Sequence, residues 1–176
     1  LVELSRGYLL TGDERFAQRC QELLLSWIDQ NPLYQGVNWT SALEVAMRAI
    51  SWQWTVAGLS EWNGWRSESL RRITGSLFNH AEYLQNHLSW YSSPYNHLMG
   101  EAAGLYLLSN WLDELPAVEG WRRTALDVFN RRADAPLELV VDGVPDRVWP
   151  LSGRAFSSGP PESVVGNVSA GSGDGE

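Results

Sequence analysis

Between residues 13 and 30, Phe16, Cys20, Leu23, Leu24, Trp27 and Ile28 recur at the spacing of one face of a 3.6-residue helix. Asn31-Pro32 stops it, because proline has no N–H for the helical ladder. After a loop over 33–38, Leu43, Met47, Ile50, Trp54 and Ala57 predict a second helix over about 40–61, with Ser41 and Glu44 at capping-box spacing. A third is predicted over about 67–90 on Leu70, Ile73, Leu77, Ala81, Leu84 and Leu88, ended by Ser92-Ser93-Pro94. The fourth, over about 96–115, carries Leu98, Ala102, Leu105 and Leu112, and Gly100 and Gly104 leave room for a close neighbouring helix. Pro116 closes that helix, and Val118, Trp121, Ala125, Val128 and Phe129 mark a fifth.

Short loops between such helices imply antiparallel neighbours, and no alternating strand pattern precedes Leu137, so the class is all-α. Asn38-Trp39 opens the second helix and Asn96-His97 the fourth, a spacing that fits repeated helical hairpins. Units of that kind bury their faces only against neighbours, which predicts part of a larger array. The pattern changes after Ala135: Leu137 to Val141 reads as a short strand and Asp142-Gly143 as a turn. Residues 150–176 hold six glycines, six serines and three prolines, a composition that predicts a disordered tail. The expected division is a helical domain over 1–135 and an irregular segment over 136–176.

Composition narrows the function. The 176 residues carry 13 Lys and Arg against 21 Asp and Glu, a net charge of -8, which argues against a nucleic-acid partner. No apolar run reaches the length of a membrane span, and no signal-type sequence opens the chain, whose first residue, Leu1, suggests a processed chain or a fragment. Cys20 is the only cysteine, reads as a buried small hydrophobe, and has no metal-ligand spacing around it. Nothing in the sequence calls for a metal or a cofactor.

Chemistry concentrates at two helix starts. Asn96 and His97 stand where a loop becomes a helix, at free N–H groups and the positive end of the macrodipole, which suits an anion; Asn96 as a plain N-cap is the competing reading. The loop Gly36-Val37-Asn38-Trp39-Thr40-Ser41 repeats the theme, and Glu44 and Arg48 follow one turn apart on a shared face. They form either a solvated ion pair or an anion-binding guanidinium with its orienting carboxylate. His80 and His87 lie inside the third helix and read as ordinary helix residues. Of the ten tryptophans, Trp27, Trp54 and Trp111 read as core, whereas Trp39, Trp65 and Trp90 fall at helix ends where a ligand is easier to reach. The segments that open the second and fourth helices are expected to meet at one end of the array.

Gly36-Val37-Asn38-Trp39-Thr40-Ser41-Ala42-Leu43-Glu44-Val45-Ala46-Met47-Arg48, Ser51-Trp52, and Ser93-Pro94-Tyr95-Asn96-His97-Leu98-Met99-Gly100-Glu101-Ala102-Ala103-Gly104-Leu105 together resemble the heparinase II/III family of polysaccharide lyases, which includes alginate lyases. The likeness covers roughly residues 4–133 and implies an incomplete α/α toroid. It implies β-elimination on an acidic, uronate-containing polysaccharide, a periplasmic or secreted location and no cofactor. Asn96 would neutralise the substrate carboxylate, and His97 would assist or act as a base. Asn38, Trp39, Glu44, Arg48, Tyr95 and Glu101 would form or brace the substrate-binding cleft. The family also uses a tyrosine from a later hairpin and a histidine farther on. Residues 146–156, where that tyrosine is expected, contain none, so the resemblance implies a chain inactive by itself. A glycoside hydrolase on a similar toroid and a noncatalytic helical-repeat binding module remain alternatives from the residues alone.

Overall fold

The computed structural model describes residues 1–133 together with the backbone of 137–138 and 148–149. Six helices occupy the described residues: α1 (Val2–Thr11), α2 (Glu14–Gln30), α3 (Ala42–Gly58), α4 (Ser67–His87), α5 (Asn96–Trp111) and α6 (Val118–Ala133). A 3-10 turn, Val37–Trp39, precedes α3. Two-residue strands, Leu137–Glu138 and Val148–Trp149, pair antiparallel. The first falls inside the strand expected from sequence, whereas the turn at Asp142-Gly143 and the tail over 150–176 lie outside the described residues.

Local signals account for most helix boundaries. The Asp13 carboxylate accepts the Arg15 N–H at the start of α2, and Ser41 Oγ accepts the Glu44 N–H at the start of α3. Gly12, at a φ of 68°, closes α1 in the left-handed conformation and turns the chain directly into α2. Helix α1 was not among the five periodic segments: its apolar residues are spread around the helix, and only Ser5 on it is fully buried. The predicted third helix stops at His87 rather than Trp90, because Leu88 turns extended and a carboxylate from α5 captures the backbone of Ser89.

The helices stack as two layers. α1 packs on α3 and α3 on α5, while α2 packs on α4 and α4 on α6. Within the first layer, a Cβ at Gly100 would meet Leu43 Cδ1 at 2.6 Å, and one at Gly104 would meet Ala46 Cβ at 2.7 Å and its Cα at 3.0 Å. Contacts thus advance in the same direction on both helices, so α3 and α5 are parallel and their N-termini share an end. The obstacle at Gly104 includes backbone, which makes that glycine a requirement of the close α3–α5 approach.

The main core joins Val45, Ala46, Ala49 and Trp52 of α3 to Ile73, Leu77 and Leu84 of α4, Leu98, Ala102 and Leu105 of α5, and Trp121, Ala125 and Val128 of α6. A smaller cluster holds Ala17, the fully buried Cys20, Leu59 and Trp62. Helix α3 corrects the sequence reading. Its buried face is Ala42, Val45, Ala46, Ala49, Trp52 and Gln53, whereas Met47 is 55% and Trp54 66% exposed. Ala42, Ala46 and Ala49 face the core where α3 packs closely between α1, α4 and α5, and Trp52 fills the wider space one turn on.

Candidate functional site

The shared end of α3 and α5 forms a cleft of about 510 Å³. Thr40, Ser41 and Ala42 make one wall, Ser92, Ser93, His97 and Glu101 the other, and Tyr83, His87, Leu88 and Ser89 contribute from the end of α4. The expected convergence of the two helix-opening segments is present: both Ser41 and His97 line this space.

On the α5 side Asn96 and His97 are uncommitted among the described residues. Helix α5 begins at Asn96, with Tyr95 in the N-cap position and no side-chain cap, so Asn96 is the first helical residue and not the cap. Asn96 and His97 are exposed, and their side chains make no hydrogen bond to the described residues. Tyr95 is 55% exposed beside them. The N–H groups of Asn96 and His97 open in the same place, while that of Leu98 donates to the Ser93 carbonyl at 3.3 Å, so two backbone donors and a positive helix end are gathered on one rim.

Glu101 is fully buried one turn further in. Its two oxygens accept the Ser89 N–H and the Ser89 Oγ–H, each at 2.7 Å. That pair ties α5 to the α4–α5 loop and sets the shape of the wall.

Behind the α3 wall lies a different arrangement. The Arg48 Nε–H donates to His80 Nε2 at 2.9 Å and its terminal N–H to the Asn38 carbonyl at 3.0 Å. The guanidinium lies over Trp27 at 4.3 Å and near Trp39 at 5.3 Å, a cation–π cage. Burial, opposed by the nearby Glu44 charge, lowers the Arg48 pKa to about 10, so it stays cationic near neutrality. His80 is fully buried. Its Nδ1 faces the Ser76 carbonyl at 2.6 Å, which assigns the hydrogen to Nδ1 and leaves Nε2 to accept from Arg48. Burial first, and the Arg48 charge with it, hold the His80 pKa down near 4 against the Ser76 bond.

The same brace holds the loop. The Tyr83 hydroxyl donates to the Trp39 carbonyl at 2.6 Å, Trp39 Nε1–H donates to the Asn31 carbonyl at 3.2 Å, and the Asn38 amide donates to Asn31 Oδ1 at 2.5 Å. Burial raises the Tyr83 pKa, which keeps the phenol a donor. Trp39 is only 6% exposed, so its ring belongs to the core and not to the cleft surface. Glu44 is exposed and makes no ion pair with Arg48. The structure thus gathers His97 and Glu101 at the cleft, with Asn96 and Tyr95 on its rim, and sets Asn38, Trp39 and Arg48 behind the opposite wall.

Sequence reasoning read His80 and His87 as ordinary helix residues and passed over Tyr83 and Ser89. The first three recur at spacings of three and four along α4, a polar-aromatic stripe that one helix face explains and that was open to detection. Ser89 carried no such signal, since its role depends on a partner twelve residues away. Among the described residues no group of three or more His, Cys, Asp or Glu side chains is gathered as for a metal ion.

Compared with known families, residues 1–145 match the family described as Heparinase II/III N-terminus. The chain belongs to the heparinase II/III family. Curated proteins and solved structures give no match. The heparinase II/III assignment covers all six helices and both walls of the cleft. Among the described residues no helix is long and apolar enough to cross a membrane.

Proposed function

We propose that this chain forms the carboxylate-binding part of a polysaccharide lyase acting on uronate-containing glycans by β-elimination, in the periplasm or outside the cell. The single observation that carries this reading is the α5 rim, where the Asn96 and His97 side chains and the first two N–H groups of the helix have no partner among the described residues and His97 lines the cleft. The proton at C5 of a uronate is α to a carboxylate and weakly acidic. Its removal builds charge on that carboxylate, and fixed donors at a helix N-terminus stabilise such charge by several kcal/mol (~3). Asn96 is the donor to the carboxylate, and His97 assists it or takes the proton. Asn38, Trp39 and Arg48 keep the opposite wall in shape, Glu44 contributes charge at its surface, and Tyr95 and Glu101 frame the rim. Elimination also needs a second proton-transfer group, and residues 146–156 offer no tyrosine for it.

Titration calorimetry of the chain with tetrasaccharides of mannuronate and of unsulfated glucuronate-containing glycan, against neutral cellotetraose, tests this. The expected result is weak binding of the uronates, none of the neutral sugar, and no ultraviolet absorbance from an unsaturated product. Equal binding of the neutral sugar overturns the carboxylate reading. Robust product formation by this chain overturns its lack of a complete elimination apparatus.

A further inference from the structure

Two imidazoles line the cleft, and the one outside the Asn96-His97 pair is the more firmly held. His87 sits in the last turn of α4. Its Nδ1 lies 2.8 Å from the Tyr83 carbonyl, a group that only accepts, so the hydrogen resides on Nδ1 and Nε2 keeps its lone pair. The ring stacks on Tyr83 with centroids 4.3 Å apart and planes inclined by 13°, and Tyr34 packs against it at 5.8 Å. Tyr83 is itself fixed through its hydroxyl to Trp39. The ring's orientation is therefore held, and Nε2 has no partner among the described residues.

An oriented acceptor nitrogen does not suit a carboxylate, which has no hydrogen to donate. It suits a hydroxyl. We propose that His87 is a specificity-determining residue whose Nε2 accepts a sugar hydroxyl of the glycan held by its carboxylate at the α5 rim. This rests on the uronate reading given above. Its consequence is selection for an unsubstituted hydroxyl at that position. A sugar acetylated or sulfated there cannot donate, and its added bulk meets the ring edge where the hydroxyl would have bonded.

The test uses the intact chain with tetramannuronate and its O-acetylated form. Wild type should bind the unsubstituted sugar about tenfold more tightly, the scale of one lost hydrogen bond in a partly desolvated site. His87→Phe keeps the stack on Tyr83 and should lose about tenfold in affinity for the unsubstituted sugar together with the discrimination. His87→Gln, whose amide oxygen reaches the Nε2 position, should retain both. Nitrogen NMR of the imidazoles should show the Nε2 resonance of His87 shifted by the sugar. Wild type that binds both sugars alike, or an Nε2 resonance of His87 that the sugar leaves unmoved, overturns the inference and leaves the uronate reading standing. Failure of wild type to bind any uronate glycan overturns both. The first comparison needs no variant, so misfolding of His87→Phe does not protect the proposal.

Discussion

Behind the α3 wall of the cleft, Arg48, His80 and Tyr83 are hydrogen-bonded to one another or to the loop they support, while on the α5 rim the Asn96 and His97 side chains have no partner among the described residues. Arg48, Asn96 and His97 come from the sequence segments that mark the family and His80 and Tyr83 from α4 between them, yet the physical circumstances of the two sets are opposite. The first set is buried, and its groups satisfy acceptors that would otherwise be costly to enclose. The second set is exposed at a helix start whose donors remain open. Motif residues therefore divide into those that build the wall and those left over for a ligand, and substitutions on the two sides should separate stability from binding.

The largest effect belongs to the wall. Arg48→Ala removes the donors to His80 Nε2 and the Asn38 carbonyl and empties the space between Trp27 and Trp39. The expected loss is about 3 to 4 kcal/mol, from two unsatisfied acceptors and a cavity. Urea denaturation measures it, and Arg48→Met, which keeps the stem, should lose less. A loss below about 1 kcal/mol would dissolve the contrast, because Arg48 would then be as dispensable as a rim residue.

Next comes a dependence on pH. His80 has a pKa near 4 in the folded chain against an ordinary 6.5. The unfolded chain thus binds more protons between those values, so stability is full above about pH 6.5 and falls as pH drops towards 4, by at most about 3 kcal/mol. Protonation also removes the acceptor for Arg48 and places two cations side by side. His80→Gln should be less stable than the parent at pH 7, and the two denaturation midpoints should converge as pH approaches 4. Parallel midpoints over that range would show that His80 is not the titrating group.

The division was only partly legible in the sequence. Five helices and their stop signals followed from periodicity, Pro32, Pro94 and Pro116, because these depend on local spacing. The buried face of α3 did not follow. Met47 and Trp54 form an apolar stripe that the sequence cannot tell from a core stripe, and only packing reveals that alanines face the core. At the site, Asn96, His97 and Glu101 were legible from position and resemblance, and the structure adds what each has for neighbours. The Arg48–His80 contact was not, since it spans 32 residues and replaces the nearer Glu44 partner that helix spacing suggested. The tautomer of His87 likewise depends on one carbonyl distance.

The smallest expected effect on stability is at Asn96, and it is the sharpest use of the contrast. A side chain that caps a helix loses about 1 kcal/mol on truncation to alanine. Asn96 is not in the cap position, and its amide bonds nothing in the described chain. Alanine is also the better helix former at an interior or first-turn position. Asn96→Ala should therefore leave the urea midpoint within about 0.5 kcal/mol of the parent, in either direction. Its affinity for a uronate tetrasaccharide should fall by about tenfold or more, because a donor aimed at a carboxylate is worth more than a neutral pair. Parallel losses in stability and affinity would assign Asn96 to the wall-building class and leave the first N–H groups of α5 and His97 as the anion-facing elements of the rim. Unchanged affinity with unchanged stability would remove Asn96 from both classes.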